Sequence, residues 1–142
     1  MTKLLVLSDS HGGRTAIERV LRKESKNIDA LIFLGDGLRD LELALTLCPK
    51  LRAYSVAGNC DYGALEPTDG LAAFDGVVIF YTHGHMYGVK YDLDTLADAA
   101  SARGAERFSR CCCRCSLQRG MTPWWAWRWC CWGPERGSSP PR

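Results

Sequence analysis

The regular alternation of short apolar runs with amphipathic segments is the feature that most constrains how this chain can fold. Continuous apolar runs lie at residues 3–8, 30–35 and 52–58 and are typical of strands buried on both faces. Between them, residues 15–25 and 38–47 carry apolar side chains at helical spacing. The alternation of strand and helix predicts an α/β layer structure.

The following forty residues add a hairpin and a third helix to this pattern. Asp75-Gly76 predicts a turn between a weak strand at 71–74 and a firmer strand at 77–82. Residues 92–104 predict a helix with Gly104 just past its last turn. The full order predicts an α/β layered sandwich with a mostly parallel central sheet flanked by helices.

Composition changes abruptly near residue 105, so the chain divides into two regions. Residues 1–105 hold 11 Lys+Arg against 14 Asp+Glu, whereas residues 106–142 hold 7 Arg, no Lys and 2 Glu. All five Trp and six of the eight Cys lie in the second region, which shows neither strand nor helix periodicity. We interpret 1–105 as an incomplete domain and 106–142 as an aberrant Cys/Trp/Arg-rich tail. Its composition suggests a GC-rich gene read out of frame, with the C-terminal strands truncated or aberrant.

A zinc site and a membrane-surface segment stay open as alternatives for the tail. Its cysteines include a pair at zinc-ligand spacing, which could form a four-ligand site from Cys112, Cys115, Cys130 and Cys131. Its mixture of Trp and Arg is also found in interfacial membrane peptides. Neither alternative is supported by a recognised spacing or a clear amphipathic pattern.

Four polar clusters each follow a predicted strand: "SDSHGG" (8–13), "GDG" (35–37), "GNCD" (58–61) and "THGH" (82–85). Because the carboxyl ends of strands in an open α/β sheet gather at one edge, their polar side chains should converge. The expected group contains two carboxylates, an amide and two imidazoles: Asp9, His11, Asp36, Asn59 and His83. This mixed N/O set suits divalent Mn, Fe, Ni or Zn. A carboxylate shared by two ions would hold them about 3.5–4 Å apart, as a phosphoryl-transfer site requires.

Taken singly, each of these residues could have an ordinary structural role. Asp9 and His11 could cap or hydrogen-bond a loop, and Asp36 and Asn59 could be turn residues. His83 could be an ordinary buried histidine, His85 a histidine of a surface loop, and Cys60 a small buried thiol. The occurrence of all four clusters in order favours a shared site.

In their order and positions, D-S-H, G-D, G-N-C-D and T-H-G-H resemble the calcineurin-like metallophosphoesterases, particularly the small single-domain phosphodiesterases of bacteria and archaea. The resemblance covers about residues 1–105. It implies that Asp9 and His11 bind a first metal, that Asp36 bridges both metals, and that Asn59 and His83 bind the second. The implied cofactors are two divalent ions, with Mn the first choice and Ni, Fe or Zn the alternatives.

The resemblance also implies roles beyond the metal ligands. His85 would lie beside the phosphate and donate a proton to the leaving oxygen. Asp61 would accept a hydrogen bond that orients a ligand histidine. Asn59, Cys60 and His85 would contact a small phosphodiester substrate. Cys60 replaces a histidine of larger family members, which removes one candidate general acid.

One family motif is missing. Members carry a fifth motif, Gly-His-x-His, beyond the third helix, but this chain has only His11, His83 and His85. Each expected metal site is therefore one protein ligand short. We predict a metal-dependent phosphodiesterase, a hydrolase, that is impaired by this loss. The alternative is a non-catalytic protein-interaction scaffold of the same fold, like the family relative in the retromer coat.

The expected location and partners follow from absent signals. "KLLVLS" is too short for a secretory targeting core, and no apolar stretch reaches membrane-spanning length, so we expect a cytoplasmic protein with no membrane partner. The Arg-rich tail matches no recognised nucleic-acid module, so no nucleic-acid partner is expected. A homo-oligomer stays open.

Overall fold

The computed structural model describes residues 1–105, 107–108 and 127–128, the last two pairs as backbone strands only. The elements in chain order are β1 (Leu4–Leu7), α1 (Arg14–Glu24), β2 (Ala30–Phe33), α2 (Leu38–Leu45), β3 (Arg52–Ser55), β4 (Asp69–Phe74), β5 (Val77–Thr82), a 3₁₀ helix (His85–Tyr87), α3 (Asp94–Ala102), β6 (Arg107–Phe108) and β7 (Trp127–Arg128). The alternative zinc site and membrane-surface segment, and the interpreted out-of-frame origin of the tail, concern residues outside the described ranges.

The first sheet has the order β3-β2-β1-β7 and contains the parallel core. Leu4 lies opposite Ala30, and Ala30 opposite Arg52, so β1, β2 and β3 run parallel in register. β7 pairs with β1 in the antiparallel direction. All four residues of β2 are buried, as expected for a continuous apolar run covered on both faces. The mostly parallel central sheet predicted from the sequence is confirmed.

The second sheet has the order β4-β5-β6. β4 and β5 form an antiparallel hairpin in which Phe74 pairs with Val77, leaving a two-residue turn. Asp75 and Gly76 in that turn both have positive φ, at 49° and 80°, which is the geometry of a type I′ hairpin turn. The hairpin therefore builds a separate sheet and does not extend the parallel one.

The two sheets and the helices stack as four layers. Adjacent strand residues point to opposite faces, so β1 contributes Leu5 and Leu7 to one core and Leu4 and Val6 to another. The core between the helices and the first sheet consists of residues from α1, α2, β1, β2 and the segment after β3, namely Leu5, Leu7, Ile17, Leu21, Leu31, Phe33, Leu38, Leu41, Ala44 and Ala57. The core between the sheets contains the buried residues Ile32, Leu34, Val56, Ala72 and Tyr81. The layered sandwich is thus confirmed.

The third helix covers the outer face of the second sheet. Leu96 and Ala100 of α3 pack with Phe80 of β5. The helix ends at Ala102, and Gly104 lies just past it as predicted, with a φ of +70° and an N–H that donates to the Ser101 carbonyl. The next N–H, of Ala105, donates to Ala100, which completes a Schellman cap.

No helix within the described ranges is long and apolar enough to cross a membrane.

Candidate metal centre

The loops after β1, β2, β3 and β5 bring together the five residues expected as metal ligands. His11 Nε2 lies 3.6 Å from Asp9 Oδ1 and 3.7 Å from Asp36 Oδ2. His83 Nε2 lies 3.6 Å from the same Asp36 oxygen and 3.1 Å from Asn59 Oδ1. Ligand atoms held about 2.0–2.2 Å from one cation have separations close to these. The donors form a continuous cluster with Asp36 at its middle.

Asp36 is the most enclosed carboxylate of this cluster, with only 4% of its surface exposed. Its Oδ1 accepts the N–H of Cys60 at 2.8 Å, while Oδ2 faces the two imidazoles. Burying a carboxylate is costly unless opposite charge or hydrogen bonds compensate. Its position between His11 and His83 fits the bridging role expected from the sequence.

His83 is oriented by the backbone and is 2% exposed. Its Nδ1 lies 2.8 Å from the Leu34 carbonyl, and since a carbonyl only accepts, Nδ1 must carry the proton. Nε2 then faces the oxygens of Asn59 and Asp36. The arrangement is that of a metal-binding histidine held by its other nitrogen.

Backbone conformation also distinguishes the site. Among the residues that the structure describes, four non-glycine residues have positive φ, and three of them are expected ligands: Asp9 at 56°, His11 at 43° and Asp36 at 58°. Such conformations cost about 1–3 kcal/mol each and cluster at functional sites. The sequence pattern did not predict them, although the flanking glycines indicated sharp turns.

Glycine allows the loops after β2 and β3 to approach each other. A Cβ built on Gly35, whose φ is +97°, would lie 2.3 Å from the backbone nitrogen of Gly58. A Cβ on Gly58 would lie 2.1 Å from Asp36 Oδ1. Larger residues at either position would push the two loops apart and displace the central carboxylate.

Asp61 connects these two loops through four backbone hydrogen bonds. Its Oδ2 accepts the N–H groups of Asp36 at 2.7 Å and Gly58 at 2.9 Å, and its Oδ1 accepts those of Gly37 at 2.8 Å and Leu38 at 3.0 Å. Burial raises the pKa of this carboxyl, but the four hydrogen bonds outweigh burial and hold the pKa below its ordinary value.

Asp61 thus contacts backbone N–H groups where the resemblance implied a ligand histidine. Both of its oxygens accept backbone N–H groups, and the Leu34 carbonyl orients His83 instead. Local sequence could not separate these cases, because both place an aspartate two residues after Asn59.

Asp40 is a supporting residue that the sequence analysis missed. It lies in the first turn of α2, and its Oδ2 accepts the Ser10 hydroxyl at 2.7 Å and the Gly12 N–H at 2.8 Å. These contacts flank His11 in the loop after β1. In the sequence, the signal that could have identified Asp40 was an acidic residue in the first turn of the helix that follows "GDG".

His85 begins the 3₁₀ helix, and its ring centroid lies 5.3 Å from that of His83. Within the described part of the chain, its Nδ1 is buried and has no hydrogen-bond partner. Burial and the neighbouring His83 lower the pKa of His85, although Asp36 raises it. The neutral ring is favoured at pH 7, and its single N–H can donate to a phosphate oxygen.

A sequence model of the calcineurin-like phosphoesterase superfamily domain matches residues 2–109. The chain belongs to this superfamily. A curated relative, the probable metallophosphoesterase YsnB of Bacillus subtilis (strain 168), is 32% identical over 104 residues, which are 72% of this chain and 59% of the relative. The resemblance inferred from the four motifs is confirmed, and membership implies divalent metal ions.

Solved structures show the same fold. A predicted phosphoesterase of Streptococcus pneumoniae TIGR4 matches with a TM-score of 0.64 and 26% identity, over 75% of this chain and 59% of that one. The phosphoesterase YfcE of E. coli matches with a TM-score of 0.52 and 26% identity, over 63% and 61%. Vps29 of Chaetomium thermophilum, at 18% identity and a TM-score of 0.59 over 76% and 57%, shares the fold. The chain spans about three-fifths of the length of these relatives.

Proposed function

We propose that this chain is a metal-dependent phosphoesterase that hydrolyses small phosphodiesters at the centre around Asp36. One observation carries the proposal: the buried Asp36 carboxylate lies within 3.7 Å of imidazole nitrogens from two separate loops. Superfamily membership and the likeness to known phosphoesterases support it.

The proposed cofactors are two divalent ions, Mn first, with Ni, Fe or Zn as alternatives. Asp9, His11 and Asp36 would hold one ion, and Asp36, Asn59 and His83 the other. Bound ions would polarise the phosphoryl group and lower the pKa of a water molecule. Leu34 keeps the Nε2 lone pair of His83 available, and Asp61 fixes the loop bearing Asp36.

The substrate contacts are proposed for Asn59, Cys60 and His85. The unpartnered Nδ1 of His85 and the closeness of its ring to His83 support a hydrogen bond from His85 to the phosphodiester. From that position His85 would also donate a proton to the leaving oxygen, as the family resemblance implies. Because burial and His83 lower the pKa of His85, the protonated ring that this donation requires becomes populated only as pH falls below its ordinary value of 6.5.

Activity is proposed to be weak. With three histidines in 142 residues, each ion has three protein ligands and one of them is shared. Fewer donors bind an ion less tightly, so activity should require an excess of free metal. We also propose a cytoplasmic location, without membrane or nucleic-acid partners.

Hydrolysis of bis(p-nitrophenyl) phosphate with added Mn²⁺ tests the proposal. Asp36→Asn should lower the rate at least about hundredfold, because the shared carboxylate is lost from both sites. Asp98→Asn, an exposed substitution on α3, is the matched control and should leave the rate unchanged. Equal rates for wild type and Asp36→Asn would contradict the proposal.

A non-catalytic protein-interaction scaffold is the second candidate. The fold shared with Vps29 and the missing fifth motif favour it. A well-folded sample with no metal binding and no turnover would support the scaffold, whereas metal-dependent turnover lost in Asp36→Asn would exclude it as the sole function.

A further inference from the structure

Cys60 lies inside the cluster of ligand atoms but belongs to no metal site considered so far. Two groups of three donors each have ligand atoms within 4.8 Å of one another: Asp9, Asp36 and His83, and His11, Asp36 and Cys60. Both groups contain Asp36. Only the group with His11 includes sulfur, so Cys60 would add a sulfur donor beside the ligands expected for the first ion.

The backbone and a neighbouring amide hold Cys60 in this position. Its N–H donates to Asp36 Oδ1 at 2.8 Å, which ties the residue to the central carboxylate. The Asn59 side-chain amide donates to Cys60 Sγ at 3.2 Å, and such a hydrogen bond stabilises a metal-bound sulfur by supplying positive charge. Cys60 is exposed, so a cation from solvent can reach the sulfur.

The distances suit a metal ion after a small adjustment. Zn–S and Zn–N bonds of about 2.3 and 2.1 Å at a tetrahedral angle put sulfur and nitrogen about 3.6 Å apart. Donor atoms within 4.8 Å must therefore close by at most about 1.2 Å to reach that separation. The exposed side chains of His11 and Cys60 can make that movement through their rotamers.

We propose that Cys60 is a metal ligand that joins His11 and Asp36, making this half of the centre selective for thiophilic ions such as Zn²⁺ and Co²⁺ over Mn²⁺. Sulfur selects such ions, whereas the half with Asp36, Asn59 and His83 has no sulfur donor and suits harder ones. The inference rests on the proposed metal centre. In it, Cys60 replaces part of the donor set that the missing histidines would supply.

Coordination breaks the S–H bond and forms a metal–sulfur bond, with the thiol proton released to solvent. A hydrogen bond to Asp36 and the nearby carboxylates raise the pKa of the Cys60 thiol in the metal-free protein. A divalent ion reverses this effect, because a coordinating thiol is deprotonated outright.

Cobalt titration of the full chain, followed by absorption spectroscopy, tests the proposal. Co²⁺ bound by Cys60 should give a thiolate-to-cobalt charge-transfer band that is lost in both Cys60→Ser and His11→Ala. Cys48→Ser is the matched control, because Cys48 packs against the core between the helices and the first sheet and is not part of the ligand cluster. Any band from the tail cysteines would persist in all three variants, so the difference spectrum isolates Cys60.

Zn²⁺ affinity gives a second measurement. Cys60→Ser should weaken Zn²⁺ binding at least about tenfold and Mn²⁺ binding less than about twofold. Cys60→Ala repeats the test if the serine variant has an altered melting temperature. An unchanged band and unchanged Zn²⁺ affinity in the Cys60 variants would overturn the role of Cys60. If Co²⁺ binding were nevertheless lost in Asp36→Asn, the proposed metal centre around Asp36 would still be supported. Absence of any Asp36-dependent binding would overturn both.

Discussion

Replacing Asp61 by asparagine should destabilise the protein through its backbone contacts. The carboxylate accepts four N–H groups at 2.7–3.0 Å, two on each oxygen, and thereby joins the loop after β2 to the loop after β3. Asparagine keeps the shape but replaces one oxygen by NH₂. Whichever way the amide turns, two backbone N–H groups then face another donor.

The structure sets the expected size of this effect. A buried donor left without an acceptor costs about 1–3 kcal/mol. The Asp61 loops are partly exposed, so water compensates in part and the lower end applies to each of the two donors. We expect a loss of about 2 kcal/mol in the free energy of unfolding, or roughly 8 °C in melting temperature for a domain of this size.

Thermal unfolding followed by circular dichroism, with Asp98→Asn as the control, measures this loss. Because hydrogen bonds lower the pKa of Asp61 in the folded protein, its stabilisation is present above the ordinary value of 3.8 and is lost as pH falls through the folded pKa. The difference between wild type and Asp61→Asn should therefore be full at pH 7 and shrink below pH 3.8. A melting temperature at pH 7 within about 2 °C of the wild type would refute the reasoning.

Two further substitutions test the loops that carry the ligands. Gly58→Ala would place a Cβ 2.1 Å from Asp36 Oδ1, so it should cost about 1–3 kcal/mol and weaken Zn²⁺ binding, whereas Gly76→Ala, with open space, should leave binding intact. Calorimetric titration distinguishes the two, whereas thermal unfolding should show a loss for both, because Gly76 has a φ of +80° at which alanine is strained. Asp40→Ala removes the acceptor for Ser10 and Gly12, so Zn²⁺ affinity measured by titration should fall several-fold. Equal affinity in Asp40→Ala and the exposed variant Glu42→Ala would contradict that role.

Much of the fold was predictable from local patterns. The continuous apolar run of β2 and the helical stripes of α1 and α2 determine which segments become strands and helices, because burial rewards these periodicities directly. Asp75-Gly76 and Gly104 also have their predicted roles, since each supplies the positive φ that a turn or cap requires. The placement of Asp36 and His83 near each other followed from their positions at strand ends.

The sequence by itself determined the order of the elements and the membership of the polar cluster, because both depend on spacing along the chain. Only the tertiary structure decided that the hairpin forms its own sheet, that Asp61 accepts backbone N–H groups 23 to 25 residues away, and that Cys60 lies beside His11 and Asp36. These features depend on contacts between distant segments. No local propensity encodes such contacts, since they form only when the layers pack and bring the loops together.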